Sequence, residues 1–184
     1  MNLTEERLQY LELLSQKFPS PAQVSTEIIN LKAILGLPKG TEHFISDIHG
    51  EYRFFIHILK NASGSVRRKI AQCFAEEGMS EENVNALATL IYYPEEKLAL
   101  LKEENGPLSE EWYTATLLHL VQVCRKATSK YTRSKVRKAM PRDFAYIIDE
   151  LLNYSEADED DNRTTYVHNI VRNIIEVGSA DAFI

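Results

Sequence analysis

Apolar residues recur at three- and four-residue spacing through nearly all of the 184 residues, and the recurrence is interrupted once, at His43-Phe44-Ile45-Ser46-Asp47. Residues three and four apart share one face of a helix, so a chain patterned this way must bury its apolar stripes by packing helix against helix. Thr4 is placed to cap a first helix carrying Leu8, Leu11 and Leu14, which Phe18-Pro19 ends. A second helix from about Gln23 carries Ile28, Leu31, Ile34 and Leu35, and Gly36 and Pro38 stop it. Beyond Gly50 the spacing returns with Phe54, Phe55, Ile58 and Leu59, closing at Asn61-Ala62-Ser63-Gly64. A short basic helix is expected over Ser65 to Phe74. Ser80, with Glu81 and Glu82 behind it, opens a helix to Tyr93, and Pro94 opens the next to about Glu104. Ser109, followed by Glu110 and Glu111, starts a long helix through Trp112, Leu117, Leu120, Val121 and Cys124. Pro141 to Tyr154 and Thr164 to Val177 complete the set, the last with Gly178 as its C-terminal cap. There is no internal repeat.

The interruption is where the chemistry lies. A short apolar run bounded by Lys39-Gly40-Thr41 predicts a strand over about 43–48. In a strand, side chains two apart point to one face, so Asp47 and His49 converge if the strand reaches residue 49. One carboxylate oxygen and one imidazole nitrogen suit manganese, iron or zinc better than calcium. Gly50 removes a side chain where the backbone must turn into the next helix, leaving space and amide donors for an anionic group. The same triplet also serves elsewhere as a hydrogen-bonded strand end, and two ligands do not hold a metal tightly.

Composition narrows the remaining choices. With 44% hydrophobic and 26% charged residues the chain is that of a folded globular protein of one domain or slightly more. A net charge of −6 argues against a general nucleic-acid binder. Cys73 and Cys124 form no CxxC pair and read as buried free thiols in a cytoplasmic protein. No apolar run approaches the roughly 20 residues of a membrane span. Against the acidic average, Arg125 to Arg142 contains no acidic residue. On a helix Arg133 and Arg137 share a face, where they would hold a phosphate or an anionic effector, or pair as a solvated face with the acidic run Glu156 to Asp161. His57, His119 and His168 fall inside helical patterns and read as packed or surface histidines.

The decapeptide as a whole is more specific than its triplet. Ser46-Asp47-Ile48-His49-Gly50-Glu51-Tyr52 resembles the first metal-binding block, D-x-H-G, of the calcineurin-like metallophosphatases. The stretches Leu37 to Phe44, Ser65 to Ile70, Tyr92 to Lys97 and Ser129 to Lys138 are similar to the bacterial class III fructose-1,6-bisphosphatases, and the resemblance covers nearly the whole chain. It implies a manganese-dependent enzyme that removes the 1-phosphate of fructose 1,6-bisphosphate in gluconeogenesis, with Asp47 and His49 as metal ligands. It also implies an α/β sandwich into which a set of helices is inserted.

That family pattern requires later blocks, G-D-x-x-D-R-G-like and G-N-H-D/E, and the chain contains no Gly-Asp, Asn-His or Asp-Arg dipeptide. The expectation is therefore a mainly α chain with one strand of an incomplete sandwich. Residues 1–62 would hold the N-terminal helices with the first strand and helix of the phosphatase core, 63–178 the helical insertion, and 179–184 a truncated end. No catalytic residue is assigned, and the chain alone is expected to be inactive. Self-association, or pairing with the missing C-terminal portion, is expected through the unpaired strand and the terminal Phe183 and Ile184. The alternatives are a non-catalytic helical binding module and another calcineurin-like phosphatase.

Overall fold

A computed structural model describes residues 4–39, 42, 44–61, 64–153 and 161–184. The chain divides into two compact units, residues 1–40 and 41–184. The first holds α1 (Glu5–Lys17) and α2 (Pro21–Leu35). Ser20 opens α2 by accepting a hydrogen bond from the Gln23 amide (3.3 Å), with Pro21 pre-set in the first turn. Thr4 takes the extended N-cap backbone of α1, yet its side chain makes no capping bond. No residue of either helix is buried.

The second unit contains α3 (Tyr52–Asn61), α4 (Ser65–Cys73), α5 (Glu81–Tyr92), α6 (Pro94–Asn105), α7 (Glu110–Thr128), α8 (Arg133–Ala139), α9 (Ala145–Leu152), α10 (Asp161–Glu176) and α11 (Ala180–Phe183). Its axis is α7, which packs against α4, α9, α10 and α11. Two apolar clusters lie on different faces of that helix. One gathers Ile70, Phe74, Val84, Leu87, Leu90 and Val123, and the other Leu117, Leu151, Val167, Ile170, Val171 and Ile174. Val123 follows Leu117 by six positions, which turns it about 120° around the helix, so one long helix serves both cores.

Local signals set the helix ends. Ser80 and Ser109 accept bonds from the Asn83 and Trp112 amides at 3.2 Å. Each is followed by two glutamates that favour the positive end of the helix dipole. At the end of α10 the Gly178 amide bonds Ile175 O (2.9 Å) and the Ser179 amide bonds Ile174 O (3.0 Å), with Gly178 at φ 72°. That reciprocal pair is the Schellman termination, which needs a left-handed residue.

Two expectations are corrected. No strand forms over the described residues 44–48, and the described residues contain no strand at all; His43 lies outside them. Phe44 is 92% exposed and Ile45 and Ile48 are also exposed, so nothing covers the run. A strand's amides and carbonyls need a neighbouring strand, and no described segment offers one. The mainly α expectation holds, without a sheet. Second, Phe183 and Ile184 are not open surface: both are half-buried, and Phe183 packs on Phe144 with ring centroids 4.3 Å apart. Among the described residues no helix is long and apolar enough to cross a membrane.

Candidate functional site

The Asp47-His49 segment is a tight turn leading into α3. The Glu51 amide bonds Ile48 O and the Tyr52 amide bonds Gly50 O, each at 2.9 Å, and the Phe55 amide bonds Glu51 O (3.0 Å) to start the helix. His49 (φ 48°) and Gly50 (φ 74°) are both left-handed. His49 is the only positive-φ residue other than glycine among the described residues. A side chain there is uncommon and carries backbone strain, which is a mark of functional turns. Gly50 is required by this conformation rather than by crowding, since a Cβ there would meet nothing within 4 Å.

This turn, and not strand alternation, brings the two predicted ligands together. His49 Nε2 lies 2.9 Å from Asp47 Oδ2, with the side chains 78% and 70% exposed. The donor types, a hard oxygen and a borderline nitrogen, fit a transition-metal ion such as manganese. Their number fits only part of a coordination shell, because among the described residues no third His, Cys, Asp or Glu joins them.

The helix that follows is tied down at its far side. The Tyr93 hydroxyl and His57 Nδ1 are 2.5 Å apart, their rings stack with centroids at 6.0 Å, and the Lys60 ammonium sits 4.6 Å over the Tyr93 ring. Thus α3 is pinned to the end of α5, which steadies the turn it begins from. From the sequence His57 reads only as a packed or surface histidine. Its partner is 36 positions away, and helical spacing carries no signal for such a contact. His119 lies edge-on to Phe74 (4.9 Å) and His168 is exposed. Cys73 and Cys124 are free thiols, half-buried rather than fully buried, and burial pushes both thiols upward in pKa.

The basic stretch includes α8, capped by Thr132, whose hydroxyl accepts from the Lys135 amide (3.3 Å). Arg133 and Arg137 do share a face, and both point at one carboxylate, Asp149 of α9. Arg133 Nη2 is 2.9 Å and Arg137 Nε 3.8 Å from Asp149 Oδ2, and the Asp149 side chain is only 16% exposed. The hydrogen bond from Arg133 holds the Asp149 carboxyl below the usual range, and the same bond raises the guanidinium. Of the acidic run proposed as their partner, Glu156 to Asp161, residues 156–160 lie outside the described residues. Asp149, set among Ile147, Ile148 and Leu151, was the missed member; a charge within an apolar stripe was the available signal.

The sequence profile of the Firmicute fructose-1,6-bisphosphatases matches residues 9–184. The chain is 58% identical over 179 residues to a fructose-1,6-bisphosphatase class 3 of Alkaliphilus metalliredigens, covering 96% of this chain and 26% of that protein. It is 55% identical over 184 residues to one from Clostridium tetani, covering 100% of this chain and 27% of the relative. A Porphyromonas gingivalis protein of the same name is 54% identical over 177 residues, 96% of this chain and 26% of its own length. The chain thus spans about a quarter of the length of the curated relatives it matches. No solved structure matches it. A match over nearly every residue, at identities above one half, means that this chain belongs to the Firmicute fructose-1,6-bisphosphatase family.

Proposed function

We propose that these residues are part of a cytoplasmic, manganese-dependent phosphatase that removes the 1-phosphate of fructose 1,6-bisphosphate in gluconeogenesis, and that they do not turn over substrate alone. The relatives' names support the substrate, and the single structural observation that carries the reading is the exposed Asp47-His49 pair at 2.9 Å on a strained turn. When bound, a divalent metal supplies positive charge to phosphate oxygens and acidifies a water. Asp47 would contribute the anionic ligand and His49 the neutral imidazole. The left-handed Gly50, with open space where a Cβ would stand, leaves room for a phosphate oxygen near the first amides of α3. Two donors, with no third among the described residues, do not bridge the pair of ions such chemistry uses, which supports inactivity of the chain alone.

In the same reading residues 1–62 hold N-terminal helices followed by the start of a metallophosphatase core with its first helix, and 63–178 are a helical insertion. Arg133 and Arg137, 65% and 64% exposed, keep donors beyond those that face Asp149 and would take a phosphate or an anionic effector. A second reading, a helical module that pairs with a partner, is favoured by the exposed Leu13, Ile29 and Leu35 of α1 and α2.

The test uses the purified 184-residue chain, with Asp47→Asn and His49→Ala beside it. Manganese titration is followed by calorimetry and by paramagnetic broadening of the histidine NMR signals, then phosphate release from fructose 1,6-bisphosphate is assayed. Weak binding that broadens His49 first and is lost in both variants, without turnover, is the expected result. Broadening that ignores both substitutions would overturn the ligand assignment; turnover by the chain would overturn its inactivity.

A further inference from the structure

Between α5, α6 and α7 lies a recess of about 290 Å³. Met79, Leu87, Leu90, Leu101 and the Trp112 indole form its apolar wall. Four polar side chains, Asn83, Lys97, Thr116 and His119, also line it. None of the four has a side-chain hydrogen-bond or ion-pair partner among the described residues. Thr116 is the most telling, since as a residue it is only 8% exposed and its hydroxyl is not spent on the carbonyl four residues back, as those of Thr89 on α5 (2.8 Å) and Thr128 on α7 itself (2.7 Å) are. That hydroxyl is not sealed from solvent and can donate to or accept from a ligand in the recess.

A second recess, of about 350 Å³ between α7, α8 and α9, makes the contrast. Its Thr128 hydroxyl is already bonded to Cys124 O, and its one charged side chain, Lys135, sits 4.7 Å over the Tyr131 ring. The threonine hydroxyl and the ammonium of that recess are engaged, whereas Thr116 and Lys97 of the first have no such partner among the described residues.

We propose that the recess between α5, α6 and α7 binds a small planar carboxylate, an aromatic ring bearing one anionic group. The class follows from the walls. The indole and the leucines take the faces of a ring, and Lys97 is the one charged residue in a lining that holds no carboxylate. Asn83, Thr116 and His119 supply the few placed polar contacts that orient a ligand in such a pocket. Binding here does not depend on the metal reading of Asp47 and His49.

Trp112 is the only tryptophan of the chain, so its fluorescence reports on this recess alone. The experiment titrates the full 184-residue chain with sodium benzoate at constant ionic strength, with benzamide and sodium acetate as controls. A saturable change is expected, with Kd of about 1 mM for so small a ligand. Benzamide and acetate should bind at least about tenfold more weakly, as should benzoate to Lys97→Met, which keeps the apolar stem. Ala115→Phe, which fills the recess from a residue exposed at its rim, should abolish the response. Far-UV circular dichroism checks that both variants are folded; should either fail, the ligand controls on the unaltered chain still decide. No saturable response to benzoate, an equal response to benzamide or acetate, or benzoate binding unchanged in a folded Lys97→Met overturns the proposal.

Discussion

Replacing Phe74 with alanine is the sharpest test of the packing described here. Phe74 is 1% exposed, at the end of α4, and its ring meets His119 edge-on at 4.9 Å while lying among Ile70, Leu87 and Val123. A buried phenylalanine removes about 150–200 Å² from water, most of it lost on truncation to a methyl group, which at about 25 cal/mol per Å² is ~3 kcal/mol. The lost edge contact adds about 1 kcal/mol, for a total of ~4 kcal/mol, within the range seen for such truncations. With a urea slope of about 2 kcal/mol per molar, the midpoint should fall by ~2 M. Trp112 fluorescence is the readout, because that residue packs on the same cluster and its signal is not mixed with that of residues 1–40. Phe74→Leu keeps most of the volume and should cost about 1 kcal/mol. Leu100→Ala, at a site 44% exposed, should cost less than about 1 kcal/mol. A midpoint loss for Phe74→Ala under about 0.5 M at unchanged slope, or one matched by Leu100→Ala, would refute the assignment of Phe74 to the core.

Other consequences concern the ends of helices and one charge cluster. Asp181 accepts hydrogen bonds from Lys102 and from the Tyr113 hydroxyl (2.7 Å), and the Lys102 bond chiefly holds its carboxyl below the usual range. A depressed folded pKa gives stability present above the ordinary aspartate range and lost as pH falls through the folded value, so Asp181→Asn should flatten the acid limb of a melting-temperature profile between pH 6 and about pH 2; parallel profiles would contradict the pairing. Ser109→Ala removes the cap of α7 and should cost about 1 kcal/mol in urea unfolding, whereas Ser129→Ala, past the other end, should cost a few tenths. Gly178→Ala meets no atom within 4 Å but must adopt φ 72°, so it should destabilise by about 1 kcal/mol and Gly178→Asn by less, measured the same way. Equal costs for alanine and asparagine would mean that the left-handed backbone is not the cause.

Much of the helical architecture could be read from residue spacing. Ser80, Ser109, Pro94 and Gly178 mark ends within a residue or two, because capping bonds and proline or glycine backbone limits act over a single turn. The two short helices, α8 and α11, did not stand out, since seven and four residues hold too few apolar positions to show a period. The strand over about 43–48 was misread for a different reason. Val, Ile and Phe suit a strand only when a neighbouring strand is present, and a local pattern cannot say whether one is. Phe44 at 92% exposure shows the consequence.

The candidate site divides along the same line. The residue types Asp47, His49 and Gly50 pointed to a candidate metal site, because donor chemistry and glycine's backbone freedom are properties of the residues themselves. Their 2.9 Å convergence came from two left-handed residues in a row and not from a strand. The facing of Arg133 and Arg137 toward Asp149, the joining of His57 to Tyr93, and the recess beneath Thr116 were decided only by tertiary structure. Each depends on which helices meet, and at what rotation. Sequence by itself determined where most of the longer helices begin and end and which residues carry carboxylate, imidazole and basic groups, since those follow from residue chemistry and from forces within a turn or two of chain. Which side chains find one another across tens of positions follows from burying two apolar faces of α7 at once, a global packing problem that no local pattern encodes.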